Sequence, residues 1–223
     1  MNRRKKAVGL LGLLLMTAVL LTGCGQSGAG SENAKDSAQT DAGTNMVEIK
    51  KDGIISNTTE EEFDEELYGD EEMLRDFILR NATTYNGQLG EELIAVKKLE
   101  VKKGRVTMVI EYGSGEAFST LHGYPFFYGT VAEAYAQGYD LDVELYEAGT
   151  GEAGAASINR EQLLEMGSRK IIITQLLPKE YLTIRTGGKI LYIRGAECVK
   201  SDVAEIGTAE EGSERETAYI VFK

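Results

Sequence analysis

The residues of this sequence best placed to do chemistry are a cysteine near its start, a lone histidine and several groups of carboxylates. Cys24 closes the tetrapeptide Leu21-Thr22-Gly23-Cys24, after a basic start (Met1 to Lys6) and an apolar stretch from Ala7 to Leu21. A cationic start, an apolar middle and small residues at the cut are the layout of a secretory signal. The apolar stretch has 15 residues, fewer than the roughly 20 that a transmembrane helix needs. We therefore expect a cleaved signal and not a membrane span.

The tetrapeptide ending at Cys24 resembles the lipobox of bacterial lipoproteins. In that family the cysteine thiol receives a diacylglycerol, and cleavage just before the cysteine makes it the new N-terminus. The resemblance implies that residues 1–23 are a lipoprotein signal peptide and that Cys24 is the lipidation site. It also implies a protein anchored in the cell membrane by lipid and facing the extracellular side. Two acyl chains anchor stably because each buried methylene contributes about 0.8 kcal/mol.

The remaining nucleophiles and bases do not form a recognisable catalytic motif. His122 is the only histidine, and Cys198 is the only cysteine besides Cys24, so we expect neither a Cys/His zinc site nor an intramolecular disulfide. Ser114 lacks the G-x-S-x-G context of a hydrolase elbow, and Ser119 near His122 does not establish a triad. We assign no catalytic residue and no cofactor, and we expect Cys198 to be a small buried apolar residue of a strand.

Two acidic stretches contain oxygen ligands that suit a hard cation. Glu60 to Asp76 holds ten carboxylates without the D-x-D-x-D-G spacing of a calcium loop, so we expect a solvated face with favourable charge at helix starts. In the second stretch, strand alternation would place Asp140, Asp142 and Glu144 on one face. These three are weak calcium candidates. The wet face of a half-buried strand is the simpler explanation, because one strand rarely supplies the six or more oxygens that calcium prefers.

The charge of the chain excludes some partners. It carries 24 Lys+Arg and 36 Asp+Glu, a net charge of −12. Removal of residues 1–23 takes away four basic and no acidic residues, which leaves −16. Such a surface repels nucleic acid and anionic headgroups, so we expect no nucleic-acid partner. Contact with the membrane is then made through the diacylglycerol on Cys24, and a cell-envelope protein or a wall polymer stays open as a partner.

Two further runs resemble functional motifs, but we expect both to be structural. The aromatic stretch from Tyr124 to Tyr128 would stack on sugars or a partner if it were exposed. We expect it to be buried, because the chain has no Trp and only six Phe with which to build a core. Gly187-Gly188-Lys189 lacks the G-x-x-x-x-G-K-[ST] spacing of a phosphate loop, so we expect a turn.

Composition divides the chain into three parts. Residues 24–45, beginning with the lipidated cysteine, contain no bulky apolar residue after it, which predicts a flexible linker. Residues 46–223 are globular in pattern, and we predict a single α+β extracellular domain, with two subdomains as an open alternative. Strands arrive in hairpins and not between regular crossover helices, which predicts a mainly antiparallel sheet with several short helices.

Turn and capping signals place the individual elements. Hairpins are predicted around Asp52-Gly53, around residues 102–105 and around Gly187-Gly188. A helical turn is predicted from Glu60 to Leu67, and a longer helix after Asp70. Capping boxes at Thr130 to Glu133 and at Asn159 to Gln162 predict the starts of two more helices, the second with a hydrophobic staple between Ile158 and Leu163. Two apolar strands are predicted from Lys170 to Thr174 and from Ala218 to Phe222.

Several short runs together are similar to a family of uncharacterised lipoproteins from Gram-positive anaerobes. The runs are Val47-Glu48-Ile49 with Lys51-Asp52-Gly53, Glu61 to Asp64 through Tyr68 to Phe77-Ile78, Tyr85-Asn86, Gly129 to Ala134, and Gly187 to Tyr192. The resemblance implies a lipid-anchored extracellular domain. It implies no assigned activity and supplies no catalytic residues.

The function favoured by the sequence is a non-enzymatic binding or accessory module on the cell surface. The alternative is a cell-wall or glycan-processing hydrolase, which needs two carboxylates roughly 5–9.5 Å apart in a cleft. The sequence leaves open whether the protein is an enzyme and favours the view that it is not.

Overall fold

The computed structural model describes residues 44–149, 156–178, 180–207 and 216–223. The predicted signal peptide, Cys24 and nearly all of the predicted linker lie outside the described residues. The strands in chain order are β1 (Thr44–Ile49), β2 (Ile55–Glu62), β3 (Ile94–Lys102), β4 (Arg105–Tyr112), β5 (Phe126–Thr130), β6 (Leu145–Glu147), β7 (Ser157–Ile158), β8 (Lys170–Thr174), β9 (Leu182–Arg185), β10 (Ile190–Arg194), β11 (Glu197–Lys200), β12 (Val203–Ile206) and β13 (Ala218–Phe222). The helices are α1 (Glu65–Tyr68), α2 (Glu71–Leu89), α3 (Gly115–His122), α4 (Val131–Ala136) and α5 (Arg160–Glu165).

The strands form two sheets. Seven strands make the larger sheet in the order β11-β12-β9-β1-β2-β4-β3, and six make the smaller one in the order β5-β8-β13-β10-β6-β7. In the described residues every pairing is antiparallel except that of β1 with β9. The chain is therefore an α+β protein with mainly antiparallel sheets, as the hairpin pattern predicts.

Two hydrophobic cores lie on opposite faces of the smaller sheet. Successive strand residues point to opposite faces, and β13 is buried along its whole length. Ile220 and Phe222 belong to the core shared with the larger sheet, α2 and α3. Tyr219 and Val221 belong to the second core, which α4 and α5 cover. The smaller sheet is thus the middle layer of the molecule.

The capping and turn signals account for most of the observed elements. Asp70 begins α2 by accepting a hydrogen bond from the Met73 amide. Capping boxes at Thr130 and Asn159 begin α4 and α5. Both residues of the predicted staple, Ile158 and Leu163, are buried. The hairpins β1–β2 and β3–β4 form around the predicted turns.

The predicted hairpin around Gly187-Gly188 is wrong. The strand before it, β9, pairs with β1 and β12 in the larger sheet. The strand after it, β10, pairs with β13 and β6 in the smaller sheet. The two glycines therefore carry the chain from one sheet to the other, a distinction that turn chemistry alone does not make because both connections are short.

The predicted helical turn from Glu60 to Leu67 is wrong in its first half. Residues up to Glu62 belong to β2, which pairs with β4, and the helix starts only at Glu65. Asp64 is the N-cap, accepting hydrogen bonds from the Glu66 and Leu67 amides. The run of carboxylates hides this change from strand to helix, because it has little apolar periodicity.

Two glycine substitutions test the crossing between the sheets. A Cβ on Gly188 would lie 2.0 Å from the Lys223 carbonyl oxygen, so we expect Gly188→Ala to lower the free energy of unfolding by about 1–3 kcal/mol. Gly87→Ala is the matched control in the exposed part of α2, where a Cβ meets no atom within 4 Å. It should raise that free energy by about 0.5–1 kcal/mol. Urea unfolding measures both, and a neutral Gly188→Ala would contradict the close approach.

Candidate functional site

A cleft of about 290 Å³ opens at one end of the smaller sheet. Among the described residues that line it, the cationic side chains are Arg169, Lys189 and Lys223, and the one acidic side chain is Glu147. Apolar and aromatic surface is supplied by residues that include Met166 and Tyr192. We call this feature the basic cleft.

Strand register explains why three basic residues far apart in sequence meet there. Phe222 of β13 pairs with Lys170 of β8 on one side and with Ile190 of β10 on the other. Arg169, Lys223 and Lys189 each lie one residue beyond this paired row. Because neighbouring strands are about 4.8 Å apart, the three residues form a row roughly 10 Å long across the end of the sheet.

Local backbone contacts hold the members of this row. The Arg169 amide donates to the Met166 carbonyl at 2.8 Å, and the Arg169 carbonyl accepts from Val131 at 2.9 Å. The Lys223 amide donates to the Lys189 carbonyl at 3.0 Å. Gly188, next to Lys189, has no Cβ and so permits the close approach to Lys223. The backbone of the basic cleft is therefore fixed by the same contacts that end the sheet.

The charge of the basic cleft is opposite to that of the whole chain. In the part of the chain that the structure describes, the ion pairs involve other cations, such as Lys50 with Glu111 and Arg105 with Glu60. None of these described ion pairs includes Arg169, Lys189 or Lys223. Three cationic side chains with no such partner thus line one concavity of a protein with a net charge of −12.

No local pattern in the sequence predicts the basic cleft. In the sequence, Lys189 is noticeable only as the end of a Gly-Gly-Lys run that lacks the spacing of a phosphate loop. The missing information is the neighbour relation of β8, β13 and β10. Each of these strands was predicted, and each has a basic residue just beyond its end, which was the available signal.

A second cleft, of about 350 Å³, has acidic character. Its lining includes Tyr181, Glu197, Glu205 and Glu216. Burial, followed by a hydrogen bond to Glu205, raises the pKa of Tyr181 to about 12. This cleft therefore presents carboxylates and a neutral phenol to solvent.

His122 is buried and does not form a nucleophile–base pair. Its Nε2 lies 2.9 Å from the Tyr112 hydroxyl, and its ring stacks on Phe118 with centroids 3.9 Å apart. Burial lowers the pKa of His122 to about 3, so the ring is neutral at ordinary pH. Ser119 binds main-chain groups, accepting from the Phe126 amide at 2.8 Å, and Ser114 is the N-cap of α3.

The strand expected to align Asp140, Asp142 and Glu144 does not exist. Strand β6 begins only at Leu145. Asp140 accepts a hydrogen bond from the Asp142 amide at 2.9 Å, as in an Asx turn, and Glu144 accepts one from Ser157 at 2.6 Å. Among the residues that the structure describes, no group of three or more His, Cys, Asp or Glu side chains has the geometry to hold a metal ion.

The other acidic stretch, from Glu60 to Asp76, supplies caps and ion pairs, including Arg75 with Glu71 at 3.1 Å. The aromatic stretch is buried as predicted, apart from the half-buried Tyr128. Cys198 lies in strand β11 but is only half-buried, so the prediction of full burial is wrong. Among the described residues, that strand pairs with β12 alone.

A buried carboxyl group that sequence analysis missed lies just before β9. Glu180 is 8% exposed. Burial, followed by the charge of Glu61, raises the pKa of Glu180 to about 7. Burial and the charge of Glu180 in turn raise the pKa of Tyr124. Neither Glu180 nor Glu61 lines the basic cleft or the acidic cleft.

Comparison with protein-family models, with curated proteins and with solved structures found no significant match. No helix among the described residues is long and apolar enough to cross a membrane. The candidate site is therefore identified from the structure of this chain alone.

Glu180 predicts a specific dependence of stability on pH. A carboxyl group whose pKa is higher in the folded than in the unfolded chain stabilises the fold below the unfolded pKa, and this stability is lost as pH rises toward the folded pKa. The window for Glu180 runs from its ordinary value of 4.5 to about 7. Between pH 5 and pH 8 we expect the stability of Glu180→Gln, relative to the native chain, to increase by about 1–2 kcal/mol.

Urea unfolding at the two pH values measures this difference. Because it compares two chains that both contain His122, the opposite pH dependence of the histidine cancels. Glu92→Gln, at an exposed position, is the control and should follow the native profile. Parallel profiles for Glu180→Gln and the native chain would show that Glu180 does not titrate in this window.

Proposed function

We propose that this protein is a lipid-anchored cell-surface module that binds its ligand in the basic cleft and carries out no catalysis. The observation that carries the proposal is the row of Arg169, Lys223 and Lys189, three cationic side chains that line one cleft and join none of the described ion pairs. Concave sites with apolar walls and a few convergent polar groups are the usual form of a ligand site.

The distribution of titratable groups supports binding over catalysis. A general acid or base must reach the proton that it transfers. Of the groups with strongly shifted pKa values, His122 and Glu180 are buried and Tyr181 lines the second, acidic cleft. None of the three lines the basic cleft. Arginine and lysine side chains line it instead, and their multiple donors suit the binding of an anion.

The membrane anchor is supported by the signal-like start of the chain and the lipobox resemblance at Cys24. Lipid attachment there would place the described domain outside the membrane, at the end of the linker. A ligand of the basic cleft would then come from the cell envelope or from the surrounding medium.

A second candidate function, a hydrolase with paired carboxylates, is favoured by one observation. Glu180 is a buried carboxyl group with a pKa near 7 and lies close enough to Glu61 to be influenced by its charge, and a raised pKa is typical of a general acid. The test is glycan hydrolysis by the native chain. Activity that Glu180→Gln abolishes would support the hydrolase, whereas activity unchanged in that variant would exclude this pair.

Alanine substitution of each of the two cysteines tests the proposed lipid anchor. We expect Cys24→Ala to abolish incorporation of labelled fatty acid, because the Cys24 thiol is the only lipid acceptor that we propose. The variant should also be lost from the pool of lipid-modified protein in the membrane fraction. Cys198→Ala is the matched control and should retain both properties. Labelling and fractionation of intact cells measure the outcome, and unchanged labelling of Cys24→Ala would contradict the anchor.

A further inference from the structure

From the basic cleft, we propose that the ligand is a small anion that bears a phosphoryl group. This inference rests on the proposed binding function and specifies its ligand. It assigns Arg169, Lys223 and Lys189 as the groups that hold the phosphoryl oxygens.

The number and arrangement of the cations favour a phosphoryl group over a carboxylate. A phosphate monoester carries a charge of about −1.5 to −2 at neutral pH and three strong acceptor oxygens. Three cations in a row of roughly 10 Å can each supply donors to a different oxygen of the phosphoryl group. A carboxylate has only two oxygens and a single charge, and one arginine can hold both oxygens in bidentate fashion. Arginine also matches phosphate geometry with two parallel donors.

The cleft contains little that would oppose an anion. Glu147 is the one acidic side chain among the described residues of its lining. It lies at the end of β6, whose pairing with β10 puts it opposite Tyr192. The described side chains of the lining thus comprise three cations and one carboxylate.

The size of the cleft and the charge of the surrounding surface limit the ligand to a small molecule. A volume of about 290 Å³ lies just below the range of about 300–1,000 Å³ that is usual for small-molecule sites. A long polyanion or an anionic bilayer would also have to lie against the rest of a chain with net charge −12, which repels it. A short phosphorylated molecule enters the cleft without that contact, and Met166 and Tyr192 can pack against its organic part.

The test is calorimetric titration of the purified full chain with inorganic phosphate and with glycerol 3-phosphate. We expect saturable binding of one molecule per chain, with glycerol 3-phosphate at least as tight as phosphate. Arg169→Gln and Lys189→Gln should each weaken binding about tenfold, as expected for the loss of one charge-assisted contact. Lys51→Gln, which removes an exposed lysine from the β1–β2 turn, is the control and should leave affinity unchanged.

All three substituted side chains are exposed, so unfolding of the variants should not explain a loss of binding, and thermal unfolding of each variant checks this. Acetate should bind at least tenfold more weakly than phosphate. Absence of saturable phosphate binding, equal binding of acetate, or equal affinity in Arg169→Gln and Lys189→Gln would each overturn the proposal.

Vesicles of anionic and of zwitterionic phospholipid distinguish a small ligand from a membrane surface. We expect neither to bind the Cys24→Ala chain through the basic cleft. Binding to anionic vesicles that Arg169→Gln removes, without binding of free glycerol 3-phosphate, would overturn the small-ligand assignment. If phosphate does not bind but Cys24 is still labelled by fatty acid, the phosphoryl ligand is contradicted and the lipid anchor is not. If Cys24 is not labelled, the lipid anchor is contradicted.

Discussion

Burial of both faces of the smaller sheet is the constraint on which the rest of the molecule depends. All five residues of β13 are buried, and β8 beside it alternates between the two cores, with Ile172 in one and Ile171 and Ile173 in the other. A sheet of this kind needs a cover on each face, because an uncovered apolar face would lose the free energy of burial. The larger sheet with α2 and α3 covers one face, and α4 with α5 covers the other.

The basic cleft follows from that constraint. Strands β8, β13 and β10 are paired up to Lys170, Phe222 and Ile190 at the margin of the buried layer. The residue just beyond this row is exposed in each strand, so it carries a charge at little desolvation cost. In all three strands that residue is basic. The same backbone contacts that close the sheet therefore fix the spacing of the cations, so the proposed site needs no separate framework.

Local sequence signals predicted most of the helices and hairpins but not the contacts between segments that are distant in the sequence. Caps at Asp70, Thr130 and Asn159 and the turns at Asp52-Gly53 and residues 102–105 are local signals, and they predicted helices and hairpins. The pairing partners of β10 and the row at Arg169 depend on contacts between residues 25 or more positions apart, which no local pattern encodes. Glu180 was missed for the same reason, since its burial comes from tertiary packing, and Asp140 to Glu144 imitated a strand because polar–apolar alternation also occurs in loops.

The most direct test of the account is amide chemical-shift mapping of the isotopically labelled full chain during titration with inorganic phosphate. The account predicts that the perturbed amides cluster at the three strand ends, around Arg169, Lys189 and Lys223, and that this cluster disappears in the Arg169→Gln, Lys189→Gln double variant. Perturbations centred on Glu180, spread over the surface, or absent throughout would contradict the assignment of the basic cleft as the binding site.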